Sequence, residues 1–148
     1  MSTSIIYFSR TGKTKALSNQ LAKQLEGSVY ELQDNINWKG FLGFIKAGFY
    51  AASNKSVDIT YDSACLNSDQ LIILSPIWAG GLTPAVKTFI QEVQHDHMTL
   101  VLRNAGTDIN KILKDVKLHY TSIEHFFGTT QKLNNSDETI QQIVDTLK

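Results

Sequence analysis

The chain has 148 residues and carries 14 Lys and Arg against 14 Asp and Glu, a formal net charge of zero. That balance makes no case for nucleic-acid binding, and the length suits one domain, 1–148, with a sizeable core. Cys65, the sole cysteine, excludes an internal disulfide framework; with no basic and apolar leader, and no apolar run near the ~20 residues a bilayer needs, a cytoplasmic protein without a membrane span is expected.

The first predicted strand, Ser4-Ile5-Ile6-Tyr7-Phe8, is β-branched and aromatic, as a strand buried on both faces should be. After it come Ser9-Arg10-Thr11-Gly12-Lys13-Thr14 and a helical pattern with Leu17, Leu21 and Leu25 on one stripe. A helix start at the carboxyl end of a strand offers free N–H groups and a positive dipole end to an anion, most often a phosphate. Ser9, Thr11 and Thr14 add hydroxyl groups, and Gly12 permits close backbone approach. A plain helix cap is the competing reading. A nucleoside-triphosphate cradle needs a glycine five positions before Gly12, where Tyr7 stands. No G-x-G-x-x-G occurs, so the loop suits one terminal phosphate.

A second strand is expected at Ser28-Val29-Tyr30-Glu31-Leu32. Trp38 to Asn54 places Trp38, Phe41, Leu42, Ile45, Phe49 and Tyr50 near helical spacing, loosened by Gly40, Gly43 and Gly48. A helix over one sheet face, a contact in a homodimer and a lid over a ligand all fit that segment. Gln70 to Ser75 is a continuous apolar run of the kind found in central parallel strands. Its exit, Pro76-Ile77-Trp78-Ala79-Gly80-Gly81, exposes an indole unless it covers something flat, and Pro84 opens a helix running to Gln94.

Further strands are predicted at Thr99–Leu102 and Ser122–Phe126, and helices at Asp108–Leu118 and Asp137–Leu147, the last capped by Ser136-Asp137-Glu138. His95 and His97 read as a solvated helix end rather than a metal site, and Cys65 as structural. The alternation implies an α/β fold, a doubly wound parallel sheet with helices on both faces.

The Ser9–Thr14 loop, the Pro76–Gly81 turn and the helix Pro84-Ala85-Val86-Lys87-Thr88-Phe89-Ile90 together resemble the flavodoxin family, with the likeness spanning essentially the whole chain. The resemblance implies a flavodoxin-like five-stranded parallel sheet in the order 2-1-3-4-5 and FMN as cofactor. Ser9, Arg10, Thr11, Gly12, Lys13 and Thr14 then take the phosphate positions. Trp78 flanks the ring, within a turn formed by Pro76, Ile77, Trp78, Ala79, Gly80 and Gly81, whose main-chain groups near Ala79–Gly80 face the flavin N5. Asn104, Ala105, Gly106 and Thr107 form the loop at the pyrimidine edge.

Two departures accompany that likeness. No aromatic follows the third loop, leaving Tyr120 or the Trp38–Tyr50 segment to cover the second ring face, and Arg103 either pairs with an acid or brings positive charge to the flavin. The neutral balance also lacks the acidity common among flavodoxin carriers. The expected function is electron transfer between reductases and acceptors, proteins or a small quinone-like molecule. An NAD(P)H-dependent quinone or azo reductase and a cofactor-free interaction protein are the alternatives.

Overall fold

A computed structural model describes residues 1–9, 12–36, 57–78, 81–103, 109–129 and 133–148, with the side chains of 133–136 excepted. Two strands take the centre: β1 (Thr3–Tyr7), wholly buried, and β5 (Gln70–Trp78), in which Leu71, Ile72, Ile73 and Leu74 are all 0% exposed. They pair in parallel with Tyr7 beside Leu74. Burying each such side chain contributes about 1.5–3 kcal/mol, so the sheet forms around this pair.

β2 (Ser28–Glu31) adds to β1, β7 (Met98–Arg103) to β5, and β8 (Ile123–Thr129) to β7, all in parallel. The order β2-β1-β5-β7-β8 is the expected doubly wound arrangement. Helices α1 (Lys13–Leu25) and α4 (Leu133–Leu147) cover one face, with Leu17, Leu21, Ile140 and Ile143 packed on Ile5, Ile72 and Val101. Helices α2 (Pro84–Glu92) and α3 (Ile109–His119) cover the other, where Phe89 and Ile112 meet Ile6, Ile73 and Leu100.

Several boundaries differ from the sequence reading. β5 runs on through Pro76 to Trp78, then turns back as β6 (Gly81–Leu82), which pairs with it antiparallel. β8 continues past Phe126 because Gly128 lets the strand approach Ile109 of α3 closely. α4 begins at Leu133, a turn ahead of the expected cap, so Ser136 lies within the helix. Its weak helix formers Asn134, Asn135 and Ser136 are carried by propagation from the helix behind them. A short antiparallel pair, β3 (Gln33–Asp34) with β4 (Ile59–Thr60), has no periodic signal and was not expected. It brackets residues 37–56, so the Trp38–Asn54 segment lies outside the described residues.

Candidate functional site at the carboxyl edge of the sheet

The parallel register brings the ends of β1, β5 and β7 to one edge. The ladder runs past Tyr7, since the Phe8 N–H donates to the Leu74 carbonyl at 3.1 Å and the Leu32 N–H to the Tyr7 carbonyl at 2.8 Å. Ser9 therefore leaves the sheet beside the exit of β5.

At the first exit Gly12 has φ 88°, ψ −6°, a left-handed conformation that a side chain would strain. It closes a tight turn in which its N–H donates to Ser9 Oγ at 2.8 Å, leaving the Ser9 proton free to donate elsewhere. α1 starts on the next residue, and its first bond runs from the Ala16 N–H to the Gly12 carbonyl at 3.1 Å. Among the described residues no side chain caps this helix, and no acid stands in its first turn. The N–H groups of Lys13, Thr14 and Lys15 lack intrahelical acceptors by helix geometry, and they point along the positive end of the dipole. Thr14 is buried at 2% exposure, while Lys13 is exposed. Arg10 and Thr11 lie outside the described residues.

At the second exit two hydroxyls fix the base of the turn. Ser75, 0% exposed, donates to the Pro76 carbonyl at 2.9 Å, which commits its only proton. Thr83 is then the donor in the 3.4 Å bond between the two hydroxyls. Thr83 is of the residue type that caps helices, yet its side chain makes no cap bond on α2. Neither residue was singled out from sequence, and a Ser and a Thr closing one turn give no distinctive pattern.

Above them Ile77 pairs with Leu82 and Trp78 with Gly81. The half-buried indole stands edge-on to the Phe8 ring, with centroids 5.5 Å apart and planes at 74°. Pro76 and Ile77 are also half-buried, and Ala79 and Gly80 lie outside the described residues. Among the described residues, a Cβ built on Gly12 or on Gly81 would meet no heavy atom within 4 Å.

At the third exit Arg103 ends β7, in register with Pro76 on one side and Thr129 on the other. Burial pulls its pKa below the usual guanidinium value. Among the described residues no carboxylate lies within ion-pair distance of it. Asn104, Ala105, Gly106 and Thr107 lie outside the described residues.

Tyr120 is a correction. It follows α3, which runs back against the strands, and its carbonyl accepts from the Ile123 N–H at the start of β8. That is the amino edge of the sheet, so Tyr120 is too remote to cover a ligand at the carboxyl edge.

The same far edge holds the histidines. The His97 N–H donates to His95 Nδ1 at 3.0 Å, so His95 Nε2 carries the proton given to the Ser68 carbonyl at 2.8 Å. His97 Nδ1 meets Glu124 at 3.1 Å. Among the described residues no three His, Cys, Asp or Glu side chains converge as a metal set. Cys65 is 0% exposed, and burial with the nearby Asp62 charge pushes its thiol up to about 11.

No family profile and no curated protein matches the chain. Solved structures do. A protein of Bacteroides eggerthii assigned to the flavoproteins superposes with a TM-score of 0.81 at 17% identity, covering 99% of this chain and 97% of its own. A Lactobacillus acidophilus flavoprotein in complex with FMN gives 0.74 at 18% identity, covering 93% and 97%. A WrbA-like flavodoxin of Agrobacterium tumefaciens gives 0.60 at 13% identity, covering 99% of each chain. The fold is flavodoxin-like, and its structural neighbours are flavoproteins. No helix among the described residues is long and apolar enough to cross a membrane.

Proposed function

We propose that the chain, as one flavodoxin-like domain over 1–148, binds FMN at the carboxyl edge of its sheet and serves as a redox protein carrying electrons between reductases and acceptors in the cytoplasm. The observation that carries this reading is a pair of neighbours. The uncapped start of α1 at left-handed Gly12 and the Trp78 hairpin leave adjacent strands at the same edge. The first suits a phosphate dianion and the second a flat ring. The FMN complex of the Lactobacillus neighbour supports the choice of cofactor.

In this reading Ser9, Arg10, Thr11, Gly12, Lys13 and Thr14 hold the phosphate, Trp78 flanks the ring, and Pro76, Ile77, Ala79, Gly80 and Gly81 form its turn. Asn104, Ala105, Gly106 and Thr107 meet the pyrimidine edge. Bound flavin supplies reversible one- and two-electron transfer, and the protein supplies binding, orientation and electronic tuning.

A second reading, an NAD(P)H-dependent quinone or azo reductase, is favoured by the position of Tyr120. With that ring at the far edge, Tyr120 does not cover the second face of the cofactor, which favours access by a small acceptor.

Titration of the apoprotein with FMN and with riboflavin tests the site. FMN should bind the more tightly by at least about tenfold, since an anion gains charge-assisted bonds at the loop. Equal affinities would remove the phosphate assignment, and no binding of either would remove the flavin reading. Rapid NADPH oxidation with a quinone and no added reductase would select the second reading over the first.

A further inference from the structure

Beneath the Trp78 hairpin two hydroxyls are shut away from water, Ser75 and Thr83, each 0% exposed. Strand alternation puts Ser75 on the side of Leu71 and Ile73, the side on which Ile77, Trp78, Leu82 and Val86 pack in one apolar cluster. A hydroxyl among apolar side chains costs free energy unless it finds a partner. Thr83 donates to Ser75 Oγ at 3.4 Å, and Ser75 donates to the Pro76 carbonyl at 2.9 Å.

Thr83 has an ordinary alternative. It stands at the N-cap of α2, where threonine accepts from a backbone N–H of the first turn, yet it forms no such bond and its oxygen is turned to Ser75 instead. The hairpin accounts for that choice. Among the described residues two backbone pairs, Ile77 with Leu82 and Trp78 with Gly81, join β6 to β5. A ribbon that short is marginal by itself. The hydroxyl pair spans the same two segments at their base, closing the loop of chain that carries the indole.

We propose that Ser75 and Thr83 are positioning residues for the flavin ring: they hold the hairpin so that Trp78 stands at the angle needed for stacking. Being fully buried, neither touches the ligand, and both act through the indole. This rests on the flavin reading.

The test measures dissociation constants of FMN and riboflavin for the wild type, T83V, T83S and Trp78→Ala, and for T83V combined with Trp78→Ala. T83V should weaken FMN binding about three- to tenfold, the scale of one lost hydrogen bond, and T83S, which keeps the hydroxyl, should restore most of it. Riboflavin should weaken by the same factor, because the ring end alone is disturbed. On the Trp78→Ala background T83V should change FMN binding by less than about twofold, since the group it positions is gone. Equal losses on both backgrounds would assign the hydroxyls to general stability and overturn the proposal, as would unchanged binding in T83V. If T83V fails to fold, Ser75→Ala takes its place, with urea unfolding of each apoprotein as the control. A wild type that binds FMN while T83V and Trp78→Ala show no coupling sinks this proposal alone; a wild type that binds neither flavin sinks the flavin reading and this with it.

Discussion

Trp78 meets Phe8 edge-to-face, 5.5 Å between ring centroids. Phe8 belongs to the exit of β1 and Trp78 to the exit of β5, so the contact links the two turns of the proposed site through side chains as well as through the ladder. The Phe8 ring is itself 5% exposed and packed in the core. The indole is therefore braced on one side by a core ring.

Trp78→Ala should weaken FMN binding by about 1–3 kcal/mol, the scale of an aromatic stack on a flat ring. Phe8→Leu should weaken it less, while lowering stability by about 1–2 kcal/mol through the lost ring pair and imperfect filling. Fluorescence titration and urea unfolding separate the two effects. An unchanged dissociation constant in Trp78→Ala would remove the stacking role.

Gly12→Ala isolates the backbone at the turn before α1. No described atom lies within 4 Å of the added carbon, so the expected penalty is that of φ 88°, about 1–2 kcal/mol. Gly12→Asn should cost less, because asparagine tolerates left-handed backbone. Both apoproteins are compared by urea unfolding; equal stability of Ala, Asn and Gly would mean that the turn relaxes into another conformation.

Gly128→Ala should be destabilising by about 1–3 kcal/mol, because the new carbon collides with Cγ1 of Ile109 and comes within 2.9 Å of its Cδ1. Ile109→Ala in the same chain removes both atoms. The double variant should therefore be more stable than the sum of the two single losses implies, a coupling that a double-mutant cycle reads directly. Additivity would show that the strand shifts away instead.

Cys65 sets a limit on alkaline stability. Its thiol has a higher pKa folded than unfolded, so above pH 9.0 the unfolded chain has lost a proton that the native chain keeps. Stability is full below pH 9.0 and falls as pH rises through about 11. The loss is roughly 1–3 kcal/mol on the scale of 1.4 kcal/mol per unit. Cys65→Ala should flatten the part of the slope due to the thiol, leaving that of Tyr7, Tyr61 and Tyr120, whose pKa values burial also raises. Identical slopes in the two proteins would contradict this.

The sheet was legible because Ile5-Ile6 and Leu71-Ile72-Ile73-Leu74 are apolar without alternation, which only a strand covered on both sides requires. The order followed from the βα alternation and the flavodoxin resemblance. What escaped was decided by contacts far apart in sequence. β8 passes through Gly128, a residue that argues against a strand until Ile109 is seen against it. β5 passes through Pro76, which belongs to no strand pattern although Arg103 sits beside it in register. The place of Tyr120 depends on the direction of α3, and an aromatic near a loop in sequence says nothing of which edge that helix delivers it to. Both turns of the proposed site stood out in the sequence as residue types. The Thr83–Ser75–Pro76 hydroxyl relay beneath the second was not, because serine and threonine signal nothing until their partners are known.

The side-by-side placement of Tyr7 and Leu74 also has a bearing on biosynthesis. The segment carrying Gly12 is made early, yet its counterpart arrives only when a long stretch of chain has looped around to lay β5 against β1. Such distant pairings come late and slowly, after the entropy of closing the loop has been overcome. On the proposed function, a nascent chain halted before Trp78 would have the grip for the anion without the platform for the ring, so a captured flavin would mark molecules in which the central strands have already zipped.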